Sequence, residues 1–357
     1  MGAHMPERHA EVEVVRLDSL EPAADLLAEA AAADGIAPLS DGLLEAAARG
    51  EALVLALADP ASGEEPSSPA SAEAPALAGV AVAALQGTRW AAEAVVAPQL
   101  RGAGHGRTLV TALADLLAEQ GERAWFWSHG DHPAAAHLAA EAGYARAREL
   151  LQLTTNRLAG TAAEAPAESG GAVAEPGAAA GATASPDDTT AEAAAPLSLP
   201  APQVPEGIVL RSAAPGDAED WARVNNAAFS WHPEQGGQPV SGYAARLADP
   251  AFDRDSVVMA ERAADHRLAG FHETKMHSDH PSGLRMGEVY VIAVDPQLHA
   301  RGLGRALLLE GMRRLADAGA EAIELYVESD NASALPLYRG TGFVRTVTHV
   351  SYAPPEA

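Results

Sequence analysis

The chain has 357 residues, no cysteine and a formal net charge of −25 at pH 7. That length is enough for two domains of ordinary size, and a chain without cysteine has no disulfide scaffold. The negative charge disfavours nucleic acid and anionic membranes as partners, because both bind basic surfaces, but it suits a small cationic substrate. No stretch approaches the run of about 20 apolar residues that spans a bilayer, and residues 1–5 look like a tag remnant, not a targeting signal. We therefore expect a cytoplasmic protein. We also expect a monomer, although nothing in the composition determines the oligomeric state.

The first half of the chain predicts a mixed α/β unit. Residues 34–41, "DGIAPLSD", precede a helical segment, so Asp41 either caps that helix or serves another role. A tract rich in Pro, Ser and Ala at 58–79 predicts a long loop between two strands. Residues 95–121 predict a strand end, a proline turn, a glycine loop and an amphipathic helix. Residues 123–146 predict a strand, a short helix and the start of a final strand.

A low-complexity tract then divides the chain. Residues 159–204 contain almost no large apolar side chain. Such a tract cannot bury enough surface to offset its ordering entropy, and we interpret it as a disordered linker. It separates an N-terminal domain, 6–158, from a C-terminal domain, 205–357.

The second half repeats the first. Three loop residues recur at one constant spacing, with Pro98, Gly104 and Gly106 matching Pro296, Gly302 and Gly304. The segment 322–345 likewise repeats the strand, short helix and final strand of 123–146. The sequence therefore predicts two tandem mixed α/β domains, each with a central sheet flanked by helices.

The repeated glycine loop predicts an anion site. A strand that enters a glycine-rich turn and then a helix leaves the first helical N–H groups unpaired, and the helix dipole adds positive potential there. Glycines let a phosphate approach that backbone closely, and Arg301 and Arg305 would add charge at the rim. The spacing fits neither a P-loop nor a dinucleotide fingerprint. A tight turn without a ligand is the alternative.

"RGAGHG" (101–106) and "HARGLG" (299–304) resemble the pyrophosphate loop of the GCN5-related N-acetyltransferases, which bind acetyl-CoA. The second copy departs from the pattern, because His299 stands where the family has Gln or Arg. The resemblance implies that a strand N–H, here that of Val294, polarises the thioester. It implies acetyl-CoA contacts in the C-terminal half at Ile292, Ala293, Val294, His299, Ala300, Arg301, Gly302, Leu303, Gly304, Arg305, Asn331, Ala332, Ser333, Ala334, Leu335 and Pro336. The contacts it implies in the N-terminal half are Ala94, Val95, Val96, Gly102, Ala103, Gly104, His105, Gly106 and Arg107.

The C-terminal half narrows the resemblance to tandem members of this family. "VNNAAFSWHPEQGG" (224–237), "GFHETKMHSDHP" (270–281), "GEVYVIAVDP" (287–296) and "LYVESDNASALPLY" (325–338) resemble the actinobacterial enzymes that acetylate cysteinyl-glucosaminyl-inositol. The resemblance implies direct transfer from acetyl-CoA to the cysteinyl amine, which gives mycothiol and CoA. Another acceptor amine, such as an aminoglycoside or a protein N-terminus, and a non-catalytic acyl-CoA sensor are the alternatives.

The same resemblance places catalysis in the C-terminal half. Amide formation needs a base for the incoming ammonium and an acid for the departing thiolate. Glu288, just before the central strand, and Tyr338, on the short helix, occupy the family's base and acid positions. Their first-half counterparts are Trp90 and Ala139, which cannot move a proton. Without the resemblance, Glu288 could be a surface carboxylate and Tyr338 a core aromatic.

The family's acceptor contacts fall on Asp41, Glu234, Lys275, Glu288 and Tyr326. Glu234 could also be a solvated loop charge. Pro336 fits only the first turn of a helix, so we expect the short helix to begin near Ser333. The cluster of His272, His277, His280 and Asp279 lacks helical metal-ligand spacing, and we expect no metal.

Overall fold

A computed structural model describes residues 14–58, 76–159, 195–230, 235–278, 280–298 and 300–355. Most of the 58–79 and 159–204 tracts lies outside these ranges, as do Glu234, Asp279 and His299. None of the described helices is both long enough and apolar enough for a membrane span.

The described elements follow the same order twice. In the first half they are β1 (Val14–Leu17), α1 (Ala24–Asp34), α2 (Asp41–Ala48), β2 (Leu53–Ala58), β3 (Leu77–Gln86), β4 (Arg89–Val96), α3 (His105–Ala118), β5 (Ala124–Ser128), α4 (Pro133–Glu141) and β6 (Ala145–Thr155). In the second half they are β7 (Ile208–Ser212), α5 (Ala218–Ala228), α6 (Val240–Ala248), β8 (Val257–Arg262), β9 (Leu268–His277), β10 (Met286–Val294), α7 (Leu303–Asp317), β11 (Ala322–Glu328), α8 (Leu335–Arg339) and β12 (Phe343–Ala353).

All twelve strands form one sheet, in the order β1-β2-β3-β4-β5-β12-β6-β11-β10-β9-β8-β7. The last strand of each half pairs with the penultimate strand of the other half: β12 with β5, and β6 with β11. The strands β6 and β12 also pair with each other along most of their length. The repeat predicted two separate sheets. Instead, the last strand of each half joins the sheet of the other half, and the two sheets form one continuous sheet.

Helices cover both faces of the sheet. In the first half, α1 and α2 pack with Val80 and Val82 on one face, whereas Leu109 and Leu113 of α3 pack on the other. In the second half, Trp221 of α5 packs on the face that corresponds to α1 and α2, and Leu307 of α7 on the opposite face. This layering follows from strands whose two faces are both apolar.

The described end of the low-complexity tract contacts the core. Leu197 forms a β-bridge with Leu158. Its side chain packs directly on Gly342, so closely that a Cβ added to this glycine would lie 2.8 Å from it. Leu199 also packs against the C-terminal core. Residues 195–199 are therefore held against the folded chain, which the interpretation of 159–204 as a linker did not foresee.

Candidate active site

The central strand of the second half diverges from its parallel neighbour. The ladder between β10 and β11 joins Met286–Val289 to Ala322–Leu325 and stops there, although both strands continue. On its other side β10 stays paired with β9 as far as Val294. Backbone groups of residues 292–294 therefore face a wedge between the strands, available to an extended ligand.

The glycine loop closes the wide end of that wedge. Helix α7 has Gly302 as its N-cap, at φ 87° and with no side-chain cap. The Leu303 N–H donates to the Ala300 carbonyl at 3.0 Å, whereas the N–H groups of Gly304 and Arg305 have no carbonyl partner within the helix. A Cβ built on Gly302 would meet nothing within 4 Å, and one on Gly304 would lie 3.8 Å from Leu337 and 4.0 Å from Val294. The loop thus faces open space between β10 and α8. Arg305 reaches across to donate to the Gly340 carbonyl at 3.3 Å.

The first half has the same geometry around a cavity of about 550 Å³. Gly104 caps α3 at φ 91°, again without a side-chain cap. The Arg101 side chain donates two hydrogen bonds to the Asp34 carboxylate, at 2.7 and 2.8 Å. The cavity is lined by eight of the residues expected to bind acetyl-CoA here: Ala94, Val95, Val96, Gly102, Gly104, His105, Gly106 and Arg107. Tyr352, from the exchanged strand β12, completes the wall.

Glu288 lies inside β10, not before it, and is only 9% exposed. The prediction that Glu288 precedes the strand is therefore wrong, and so is the alternative that it is a surface carboxylate. A β-bulge between Val289 and Val291 shifts the register with β9, so that Glu288 stands opposite Lys275. In the first half, the ladder between β3 and β4 has no bulge, and the pair that corresponds to Glu288 and Lys275 is Ala91 and Ala84. The counterpart of Glu288 is therefore Ala91, one residue after the predicted Trp90. Ala91 also has no group that can move a proton.

A cluster of ionisable side chains surrounds Glu288. His277 Nε2 lies 2.8 Å from Glu288 Oε2. Glu324, the register partner of Glu288 on β11, is 2% exposed and accepts from Gln152 Nε2 at 2.6 Å, with His280 Nε2 at 3.4 Å. Burial alone would raise the pKa of Glu324, but its bonds with His280 and Gln152 outweigh this and lower the pKa. Gln152 belongs to β6, so the first half supplies this hydrogen bond.

Three predicted acceptor contacts lie around the same cluster. Asp41 is the first residue of α2, and Ser40, not Asp41, is the N-cap. Asp41 lies close enough for its charge to raise the pKa values of His277 and Tyr326. Surrounding protein raises the pKa of the Tyr326 hydroxyl above its usual range, and the charges of Glu324, Glu288 and Asp41 raise it further. Lys275 Nζ sits over the Tyr290 ring, 3.4 Å from its centroid.

Tyr338 lies in α8, which begins at Leu335, two residues later than expected. The turn before it is held by Asn331, whose side-chain oxygen accepts from the Ser333 hydroxyl and the Ala334 N–H. Tyr338 is 6% exposed and packs edge-to-face on Phe343. Burial raises the pKa of its hydroxyl to about 12, so the group keeps its proton at physiological pH.

A buried polar chain near this cluster was not predicted from the sequence. Glu93 of β4 accepts from the Ser40 N–H at 2.8 Å, and its other oxygen lies 3.2 Å from His129 Nε2, without hydrogen-bond alignment. His129 Nδ1 lies 2.8 Å from His349 Nδ1, and the His349 ring lies 5.7 Å from that of Tyr326. The chain thus runs from the residue before Asp41 to Tyr326. Its members lie on the strands β4, β11 and β12 and on two loops. No local sequence pattern predicts that these segments meet.

His272, from the histidine cluster, belongs to the core. It is fully buried and contacts the Leu307 carbonyl through Nδ1 at 2.9 Å. Within the described ranges, no group of three His, Cys, Asp or Glu side chains is arranged to hold a metal ion.

Comparison with known proteins places this geometry in a family. The profile described as "Acetyltransferase (GNAT) family" matches residues 52–144 and 219–343, one match in each half. The chain belongs to the GNAT acetyltransferase family. The predicted family, fold class and enzyme class are thereby confirmed: the chain is an acetyl-CoA-dependent acyltransferase built from a tandem GNAT repeat.

Curated relatives cover most of the chain. Mycothiol acetyltransferase of Pseudarthrobacter chlorophenolicus is 38% identical over 342 residues, which span 94% of this GNAT chain and 92% of that protein. Mycothiol acetyltransferase of Gordonia bronchialis is 42% identical over 267 residues, 74% of this chain and 73% of that protein.

Solved structures share the fold of this GNAT chain. A GCN5-related N-acetyltransferase from Sphaerobacter thermophilus matches with a TM-score of 0.66 at 18% identity, over 95% of this chain and 94% of that one. A tandem GNAT protein from the clavulanic acid biosynthesis pathway matches with a TM-score of 0.62 at 15% identity, over 96% of this chain and 98% of that one.

Proposed function

We propose that this chain transfers the acetyl group of acetyl-CoA to the cysteinyl amine of cysteinyl-glucosaminyl-inositol, giving mycothiol and CoA. The similarity to mycothiol acetyltransferases over nearly the whole chain carries the proposal. The charge of the site agrees with it, because Glu288, Glu324 and Asp41 surround a region suited to an ammonium group.

The C-terminal half is the catalytic one in this proposal. The pantetheine arm lies in the wedge beside residues 292–294, with the pyrophosphate at the N-terminus of α7, on the N–H groups of Gly304 and Arg305. The Val294 N–H polarises the thioester carbonyl. The free amine attacks that carbonyl carbon, a C–N bond forms, and the C–S bond to CoA breaks.

Proton transfers accompany the bond changes. Glu288 removes the proton that makes the acceptor amine cationic. Tyr338 gives its hydroxyl proton to the departing thiolate and is suited to this as an acid that stays protonated at neutral pH. The second proton, which the nitrogen loses when the amide forms, restores the Tyr338 hydroxyl. Transfer is direct within a ternary complex, since the chain has no cysteine to carry an acyl group. Asp41, Lys275 and Tyr326 hold the acceptor, and Glu234, outside the described residues, stays a predicted contact.

The N-terminal half binds acetyl-CoA without turning it over. Its cavity offers the same loop and strand edge, but Ala91 and Ala139 stand at the base and acid positions. One chain therefore holds all the proposed groups, with the acceptor site built from both halves.

A panel of amines tests the proposal. CoA release should be fastest with cysteinyl-glucosaminyl-inositol, compared with aminoglycosides, peptides with a free N-terminus and glucosaminyl-inositol without cysteine. Faster turnover of an aminoglycoside or a peptide would overturn the substrate assignment while leaving the acetyltransferase chemistry intact.

A further inference from the structure

His277 is the ionisable group in direct contact with the proposed base. It is the last residue of β9 and reaches diagonally across the ladder, so that Nε2 lies 2.8 Å from Glu288 Oε2. The His277 side chain is 26% exposed, against 12% for that of Glu288. The imidazole thus stands between a buried carboxylate and solvent.

We propose that His277 is the positioning residue of the acetyl-transfer reaction: it holds Glu288 through Oε2 and leaves Oε1 free for the ammonium group of the acceptor. This inference rests on the proposed role of Glu288 as the base. A glutamate has three side-chain torsions, and an unheld carboxylate samples several rotamers. A single donor at a fixed place on the neighbouring strand selects one of them, which a proton transfer at hydrogen-bond range requires.

The neutral imidazole suffices for this task, because its Nε2–H donates to the carboxylate. A second proton makes His277 a cation, and its surroundings favour that state. The hydrogen bond to Glu288 raises the pKa of His277 above its ordinary value, against the opposing effect of burial. The charges of Glu288 on β10, Glu324 on β11 and Asp41 on α2 raise it further. On its own strand and the loop after it lie Lys275 and His280, and His280 contacts Glu324.

The imidazolium and the acceptor's ammonium therefore compete for the same three carboxylates. An ammonium group that enters beside Glu288 meets full attraction only when His277 has lost its second proton. By linkage, binding of the cationic acceptor releases that proton to solvent, and a fall in pH weakens acceptor binding. A neutral ligand, such as the acetylated product, does not compete in this way.

Two substitutions separate positioning from charge. His277→Gln keeps an N–H donor at nearly the reach of Nε2 but carries no titratable proton, whereas His277→Phe removes the donor. We expect His277→Phe to lower kcat by about 10²-fold and His277→Gln to retain kcat within a few-fold of the unsubstituted enzyme. His277→Gln should also flatten the rise in the acceptor's KM between pH 8 and pH 6, leaving only the part due to the acceptor's own amine.

The matched control is His266→Gln, which alters an exposed imidazole in the turn before β9 and leaves the pair His277–Glu288 in place. It should keep the pH response of the unsubstituted enzyme. Calorimetry in buffers of different ionisation enthalpy adds a second readout: proton release on acceptor binding should vanish in His277→Gln and persist in His266→Gln.

Two results would overturn the inference. One is a His277→Gln enzyme as slow as His277→Phe, because a neutral donor would then not restore the function. The other is a His277→Phe enzyme with unchanged kcat. If the unsubstituted enzyme prefers another amine, the substrate assignment fails on its own, and the same variants on that amine still decide the role of His277.

Discussion

The imidazole rings of His129 and His349 meet with their Nδ1 atoms 2.8 Å apart, although the two residues belong to opposite halves of the chain. The contact exists because β12 is inserted beside β5, which brings Val350 opposite Ser128. One Nδ1 must donate and the other accept, so the pair is compatible with two neutral rings and not with two cations. Exchange of the last strands thus creates a buried, pH-sensitive junction between the halves.

The first prediction concerns acid stability. Burial, and then the neighbouring His129, lower the pKa of His349 to about 4, and burial lowers that of His272 to about 4. The unfolded chain binds these two protons near pH 6.5, so between pH 6.5 and 4 it holds more protons than the folded chain. Stability from both residues is complete above pH 6.5 and is lost as the pH falls, by about 2 kcal/mol for each residue at pH 5.

Urea unfolding at pH 7.5 and pH 5.0 measures this loss. His349→Phe should reduce the difference between the two pH values by about 2 kcal/mol. His137→Gln is the control, because the His137 side chain is 69% exposed and should leave the difference unchanged. An equal pH dependence in His349→Phe and the unsubstituted chain would mean that His349 is protonated in the folded state.

Most of the fold was predicted from the sequence. The repeat predicted the order of elements, and matched glycines reproduce matched geometry: a Cβ on Gly79 or on Gly270 would lie 2.7 Å from a carbonyl of the adjacent central strand. Strand exchange was not predictable, because β6 and β12 occupy equivalent positions in the repeat. Hydrophobic patterning decides which face a strand buries, but it does not decide between two neighbours of equal pattern.

The sequence likewise predicted some residues of the site and missed others. Glu288 and Tyr338 were predicted because each lies at a position that the family resemblance marks, and their catalytic roles stay predictions. The bulge at residue 290 was missed, since one extra residue in a strand leaves no compositional trace. Glu324 and Gln152 were missed because they meet only through pairing between the halves. Two residues apart on β11, Glu324 and Tyr326 share one face of the strand, and that alternation was the one available signal.

The second prediction compares two equivalent glycines. Gly302 and Gly104 both have a positive φ, 87° and 91°, and a Cβ on either would meet no protein atom within 4 Å. Valine at either position strains the backbone, at a cost of roughly 1–2 kcal/mol, and places a side chain where a phosphate would approach. Gly302→Val should raise the KM for acetyl-CoA about 10-fold or more, whereas Gly104→Val should leave turnover largely intact. Equal losses of activity would contradict catalysis in the C-terminal half alone.

The third prediction concerns the proposed acid. Tyr338→Phe keeps the ring that packs on Phe343 and removes only the hydroxyl, so the thermal midpoint should change little. The maximal rate should fall by roughly 10²–10³-fold, because the thiolate loses its proton donor. The deficit should stay constant from pH 6 to pH 9, since the native hydroxyl, with a pKa of about 12, remains protonated across that range. A rate near that of the unsubstituted enzyme would show that CoA leaves as the thiolate without help.

The last prediction concerns the proposed base. The acceptor's α-amine is largely protonated near neutral pH, so turnover needs a group that removes the proton. Glu288→Gln keeps the volume of the side chain in β10 and a carbonyl oxygen that can accept from His277, but it cannot take up a proton. The maximal rate at pH 7 should fall by roughly 10²–10⁴-fold, while acetyl-CoA still binds, as equilibrium titration would show. The deficit should shrink as the pH rises toward 9, because free amine then reaches the thioester without a base. That recovery distinguishes this variant from Tyr338→Phe. A near-normal rate for Glu288→Gln at pH 7 would exclude Glu288 as the base, and the neighbouring Glu324→Gln, measured in the same assay, would then test whether its register partner removes the proton.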